Sequence, residues 1–337
     1  MGAQCCSSHS DLNKKNKKLI RLIKKNNIFD MEKFSTLDSF SENRIHTESD
    51  KSNENFLLQI FDIEEEILFF YSLNLKIKSL EGISQIFYEN TLILCGSNTY
   101  NDNTKNTNSF SSSFMYSIDI FSAPLKLNFQ VNSCFPHYYP ILSILRNEFV
   151  LVISGKGSTK CEYYSLTNKR WKDLPELPES RYGGSLICDN TLNIAYIFGG
   201  ENEKTNKNSF TIFKLNINKC IKWDTIIIEE NSHLLTKKFS GIIKIDNENI
   251  LILGGKNNDD NETDEVVNIN IIKRKIKVLN SNKKLNDKIK FKNLKIGIEN
   301  NKGKYYIFDD DKNDVVIRID DKYINEINLE QNNMFKL

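Results

Sequence analysis

The sequence is poor in the residues from which metal and redox centres are usually built. It has four histidines, and two of them, His9 and His46, fall in the first fifty residues. None of its seven cysteines forms a C-x-x-C pair, which removes the spacing on which zinc ribbons and fingers depend. The cysteines are odd in number and mostly far apart, and no secretory signal precedes them; free thiols in a reducing compartment are expected. No run of eighteen apolar residues occurs, so no α-helical membrane span is expected. Net charge is only +2, which leaves no global basic footprint for nucleic acid. Hydrophobic residues make up 39% of the chain and charged residues 27%. That suffices for a core but leaves part of the chain as solvated loop or tail.

From Phe56 onward helical periodicity is absent too. Short apolar runs take its place, each bounded by Asn, Asp or Gly: Thr91–Gly96, Phe149–Gly155, Asn193–Gly200, Asn249–Gly255 and Lys304–Asp309. Runs of this length and composition read as buried strands. A partner strand lies upstream of most of them, at 83–88, 139–145, 184–189, 240–245 and 294–299. Another follows downstream, at 114–121, 160–166, 210–215, 266–272 and 315–320. A fourth comes around Trp171, Trp223 and 276–279. The unit recurs about every fifty residues, with Asn/Ser/Asp-rich insertions at 97–113, 201–209 and 256–265, the pattern of a propeller.

The best-preserved unit is Cys161–Gly200. It contains Tyr163, Trp171, the turn Leu174-Pro175-Glu176-Leu177-Pro178, Arg181 and the doublet Gly199-Gly200; a second doublet is Gly254-Gly255. These residues resemble the kelch motif. Other units depart from it, with Cys95-Gly96, Ser154-Gly155 and Asp309-Asp310 at the doublet and only Trp171 and Trp223 at the tryptophan position. The resemblance implies an all-β, kelch-type propeller over residues 56–337, with six four-stranded blades expected and five or seven as alternatives. It also implies that the glycines, tryptophans, Tyr163 and Arg181 hold blades together.

Residues 1–55 form a separate tail and linker. The opening MGAQCCSSHS places Gly2 where N-myristoylation requires it, although Cys6 stands where Ser or Thr is usual. With Cys5 and Cys6 it resembles dual-acylated peripheral proteins, and implies myristoyl at Gly2 and palmitoyl at the two thiols. One myristoyl chain binds membranes only marginally. Lys14, Lys15, Lys17, Lys18, Arg21, Lys24 and Lys25 add a polybasic stretch, each worth roughly 1 kcal/mol near an anionic leaflet. Leu19, Ile20 and Ile23 share a face if this stretch is helical, and a short basic amphipathic helix or tail is expected; calmodulin binding is the other reading of such a helix.

Catalytic signals are weak. His137, beside Tyr138 and Tyr139, would need a second histidine such as His233 to hold copper, and is expected as a loop residue. Gly155-Lys156-Gly157-Ser158-Thr159 lacks the spacing of a phosphate loop. Asp309, Asp311, Asn313 and Asp320 echo a calcium loop, but Asp314 stands where glycine belongs. No catalytic residue, metal or cofactor is assigned. The resemblance implies an interaction scaffold that binds a protein through its loops at the cytosolic face of a membrane. The alternative is an oxidase- or epimerase-type enzyme with its site at the channel mouth.

Overall fold

The computed structural model describes residues 18–24, 55–62, 67–74, 80–96, 113–122, 125–219, 222–263, 265–279, 294–295, 304–309, 315–320 and 334–336. These residues are nearly all β. They form six antiparallel sheets that follow one another in chain order, plus one small hairpin.

The first sheet is β1 (Lys18–Lys24), β2 (Asn55–Asp62) and β3 (Ile67–Asn74). The second is β4 (Ile83–Tyr88), β5 (Thr91–Gly96), β6 (Phe114–Asp119) and β7 (Leu127–Phe129). The third is β8 (Ile141–Leu145), β9 (Phe149–Ile153), β10 (Cys161–Ser165) and β11 (Arg170–Leu174). The fourth comprises β12 (Ser185–Asp189), β13 (Ile194–Phe198), β16 (Ile212–Asn216) and β17 (Asp224–Ile226). The hairpin β14 (Glu201–Asn202) and β15 (Lys207–Asn208) branches from it. The fifth is β18 (Gly241–Lys244), β19 (Asn249–Leu253), β20 (Val266–Asn270) and β21 (Lys275–Val278). The sixth is β22 (Leu294–Lys295), β23 (Lys304–Asp309), β24 (Val315–Asp320) and β25 (Met334–Lys336). Within each sheet the strands pair in chain order, the fourth interrupted by its hairpin, and tight connections such as 89–90, 146–148 and 190–193 fix the register where they occur.

One segment departs from its expected form. Lys18–Lys24 is a strand, not a helix, and pairs with β2 along its whole length, from Lys18 opposite Asp62 to Lys24 opposite Phe56. The physical reason lies in β2. It bonds to β3 along one edge, which would leave its other edge open; the strand Lys18–Lys24 closes it. Gly2, Cys5, Cys6, Lys14, Lys15, Lys17 and Lys25 lie outside the described residues, as do the insertion at 97–112 and the loop at 310–314.

First strands of successive sheets abut: β1 on β4, β4 on β8, β8 on β12 and β12 on β18. The core lies between sheets rather than in one central mass. One apolar layer joins the first two sheets through Phe56, Leu58, Leu92 and Leu94. Ile86, Cys95, Val150 and Tyr164 join the second to the third. Leu151, Cys161, Leu186 and Phe213 join the third to the fourth, and Phe198, Ile212, Ile252 and Ile269 join the fourth to the fifth. Strands buried on both faces account for the unbroken apolar runs of the sequence.

The tryptophans and glycines sit at these seams. Trp171 Nε1–H donates to the Val131 carbonyl (2.8 Å), and Trp223 Nε1–H donates to the Pro175 carbonyl (2.8 Å). Both acceptors follow the last strand of the preceding sheet, so the same bond recurs one unit apart. Gly199 (φ +56°) presses on the next sheet: a Cβ there would lie 2.2 Å from the Lys237 carbonyl oxygen. Gly200 (φ +85°) presses back on its own sheet, 2.8 Å from Gly184 N by the same measure. Only glycine meets both demands, positive φ and backbone contact. Gly254 and Gly255 also have positive φ. Tyr163 stacks edge-on against Phe149, ring centres 5.0 Å apart.

Candidate binding site

The segments leading into β4, β8, β12 and β18 lie at one end of the adjoining first strands. Each has one residue in the left-handed region: Gly82 (φ +74°), Tyr139 (φ +54°), Gly183 (φ +65°) and Phe239 (φ +56°). Backbone bonds tie neighbours together. Tyr139 N–H donates to the Gly82 carbonyl at 2.8 Å, and Phe239 N–H donates to the Gly183 carbonyl at 2.7 Å. Two sheets use glycine here and two use an aromatic residue at a backbone conformation that costs about 1–3 kcal/mol.

Those aromatics join others into an arc. Tyr138 meets Tyr139 edge-on (4.8 Å between ring centres), Tyr139 meets Tyr182 (5.5 Å), and Tyr182 meets Phe239 (5.1 Å). All four are half-buried, so part of each side chain remains open to solvent. Lys156 Nζ lies 5.9 Å from the centre of the Tyr182 ring, within range of a cation–π contact. Tyr138 Oη donates to Glu81 Oε1 at 2.7 Å. Burial pushes the Tyr182 phenol up to about 12, with nearby Tyr139 adding to the effect. Burial, then the bond to Glu81, raises Tyr138. The phenols are therefore neutral donors at ordinary pH. At the arc's far end Lys238 Nζ bridges Glu201 Oε2 (2.5 Å) and Asp260 Oδ1 (2.7 Å).

Beneath the arc, three basic side chains are buried at one repeated position, four residues before the first strand of their sheet: His137, Arg181 and Lys237. Each has an acidic partner. His137 Nε2 is 2.9 Å from Glu162 Oε1, and its Nδ1 is 2.7 Å from the Ser154 carbonyl. Arg181 donates from Nη1 to the Gly199 carbonyl (2.6 Å) and from Nη2 to the Thr211 carbonyl (2.9 Å). Its Nη2 also pairs with Glu179 Oε1 (2.7 Å), and its guanidinium lies 4.6 Å from the centre of the Phe213 ring. Burial lowers Arg181 to about 10, against the pull of Glu179, and still leaves it charged. Lys237 Nζ lies 2.7 Å from Glu265 Oε2. Ser154 and Gly199 are the first members of successive doublets, so the carbonyls taken by His137 and Arg181 are equivalent. These groups hold the base of the arc.

His137 thus lies between strands, as expected, but wholly buried; His233 is exposed in the 3-10 turn Ser232–Leu235. Lys156 reaches the arc, while Arg181 is turned inward. Sequence reading missed Tyr139 and Phe239 as a pair, and missed Glu162 and Lys238. A signal was present. Counting back from each first strand aligns His137-Tyr138-Tyr139, Arg181-Tyr182-Gly183 and Lys237-Lys238-Phe239, a basic residue followed by residues of the arc.

A second depression, of about 530 Å³, lies on the third sheet between Phe149, Tyr163, Arg170 and Lys172. It is separate from the arc and mixes both charges with Glu148 on its wall. No protein-family model matches the chain, and no curated protein matches it.

Proposed function

We propose that the six sheets are the blades of a kelch-type propeller, and that the protein is a membrane-tethered interaction module that takes its partner at the aromatic arc. Abutting first strands, meander order and apolar layers between consecutive sheets all support the radial reading. In that arrangement the arc lies at the mouth of the central channel. The observation that carries the function is the aromatic pair Tyr139 and Phe239. Both occupy left-handed backbone positions that neighbouring sheets give to glycine. Strain retained at a half-open aromatic surface points to use of that surface, and tyrosine is a favoured anchor at interface centres.

The tether rests on Gly2, Cys5 and Cys6, with Lys14, Lys15 and Lys17 preceding β1. Acyl chains at the thiols would supply the second signal that a lone myristoyl group needs. The protein would then sit on the cytoplasmic face of a membrane with no nucleic-acid partner.

The second reading, an enzyme at the channel mouth, is favoured by the meeting of three tyrosines with Glu81, Glu201 and Asp260. It is weakened by their states. The Tyr138 and Tyr182 phenols are raised away from neutrality, and Glu201 and Asp260 are engaged by Lys238.

Two experiments test the proposal. Gly2→Ala and the Cys5→Ser/Cys6→Ser double variant should each move the protein from the membrane to the soluble fraction. Equal membrane retention of both variants and wild type would remove the tether. Proximity labelling in the native cell should give a set of neighbours that is lost with Tyr182→Ala plus Phe239→Ala. An unchanged set would move the binding surface elsewhere.

A further inference from the structure

Away from the arc, three metal-ligating side chains converge on the third sheet. Glu162 on β10 and Asp173 on β11 are direct cross-strand partners and so project from the same face. Cys134 arrives from the segment before β8. One donor atom from each, the Cys134 Sγ and a carboxylate oxygen of Glu162 and of Asp173, lies within 4.8 Å of the other two. We propose that Cys134, Glu162 and Asp173 bind one divalent ion of the zinc class.

The cluster has one fixed member and two adjustable ones. Glu162 is wholly buried and held from both sides. Its Oε1 faces His137 Nε2 at 2.9 Å, and its Oε2 accepts the Cys134 N–H at 3.0 Å. Oε1 also accepts the Phe135 N–H at 3.4 Å, which leaves one lone pair, on Oε2, for a metal. Cys134 and Asp173 are exposed, so a change of rotamer brings sulfur and oxygen to metal–ligand distance. Backing of a ligand by a buried partner is the usual way a metal site is oriented.

Charge supports the assignment. Two carboxylates directly opposite one another on a sheet repel, and a thiol is added beside them. Thiolate with carboxylate is a donor set suited to zinc and its substitutes, and three protein ligands leave a fourth position for water. Ligation through a thiolate displaces the thiol proton, so metal binding here should release a proton.

Cobalt(II) is the probe, since thiolate ligation gives it a charge-transfer band. Titration of the full chain should give a saturable band at one ion per chain. The band should disappear in Cys134→Ser and need more cobalt in Asp173→Asn, with far-ultraviolet circular dichroism unchanged in both. It should persist in Cys5→Ser/Cys6→Ser, which separates this site from the N-terminal thiols. Absence of a saturable band, its survival in Cys134→Ser, or indifference to Asp173→Asn overturns the proposal. Both exposed ligands can be replaced without touching the buried pair, so misfolding does not confound the result.

Discussion

His137 Nε2 lies 2.9 Å from Glu162 Oε1, and neither side chain is reached by solvent. The pair links the segment before β8 to β10 and orients the backbone from which Tyr138 and Tyr139 rise. Removing one partner of a buried hydrogen bond leaves the other unsatisfied, at a cost of about 1–3 kcal/mol. His137→Ala should therefore lower the urea midpoint by a corresponding amount. The double variant His137→Leu/Glu162→Leu should recover part of that loss, because neither side chain is left buried without its partner. Equal destabilisation by the single and double variants would contradict the pairing.

Arg181 makes the same connection one sheet further on, with a geometry lysine cannot copy. Its fork serves two carbonyls and a carboxylate at once. Arg181→Lys should fail to rescue the loss seen in Arg181→Ala, since an ammonium is a point donor without the planar fork. A melting temperature for Arg181→Lys within a degree or so of wild type would show that charge alone suffices, given that about 1 kcal/mol shifts a domain of this size by a few degrees.

Tyr139 and Phe239 should separate stability from binding. Replacing either by glycine restores the residue type used at Gly82 and Gly183 and relieves left-handed strain of about 1–3 kcal/mol. Tyr139→Gly should thus unfold no more easily than Tyr139→Ala, and should be more stable than it. Both should lose the neighbours found by proximity labelling. If Tyr139→Gly is the less stable of the two, the backbone account fails.

Lys238 bridges Glu201 and Asp260, and the signs of its pH dependence can be worked out. The bond to Lys238 holds Asp260 below the usual carboxylate range, so its share of stability is present above about pH 4 and lost as acid protonates it. Burial disfavours the Lys238 charge, but the bonds to Asp260 and Glu201 outweigh it and raise Lys238. That share is present below about pH 10 and lost as alkali removes the proton. The difference in urea midpoint between wild type and Lys238→Met should be widest near neutrality and shrink at both extremes. Asp260 is largely exposed, so its part should be under about 1 kcal/mol and fall with salt. A difference independent of pH would show that Lys238 acts through packing alone.

Much of the architecture could be read from residue order because most strands pair with the next strand along the chain. Apolar runs ending in glycine marked β5, β9, β13 and β19, and β4, β23 and β24 fall where alternation and turn residues placed them. The amphipathic reading of Lys18–Lys24 failed for the opposite reason. Its partner, β2, lies more than thirty residues away, and no local pattern records that an open edge awaits it.

The sequence by itself determined the strand content, the repeat of about fifty residues, and the positions where only glycine fits. Those depend on backbone sterics and nearest-neighbour pairing. Tertiary structure alone decided what the residues before each first strand do. It turned Arg181 inward and Tyr182 outward, buried His137 against Glu162 twenty-five positions later, and brought Tyr139 to Phe239 through Tyr182. Those contacts are made between sheets, where burial and charge pairing select partners that no spacing along the chain can specify.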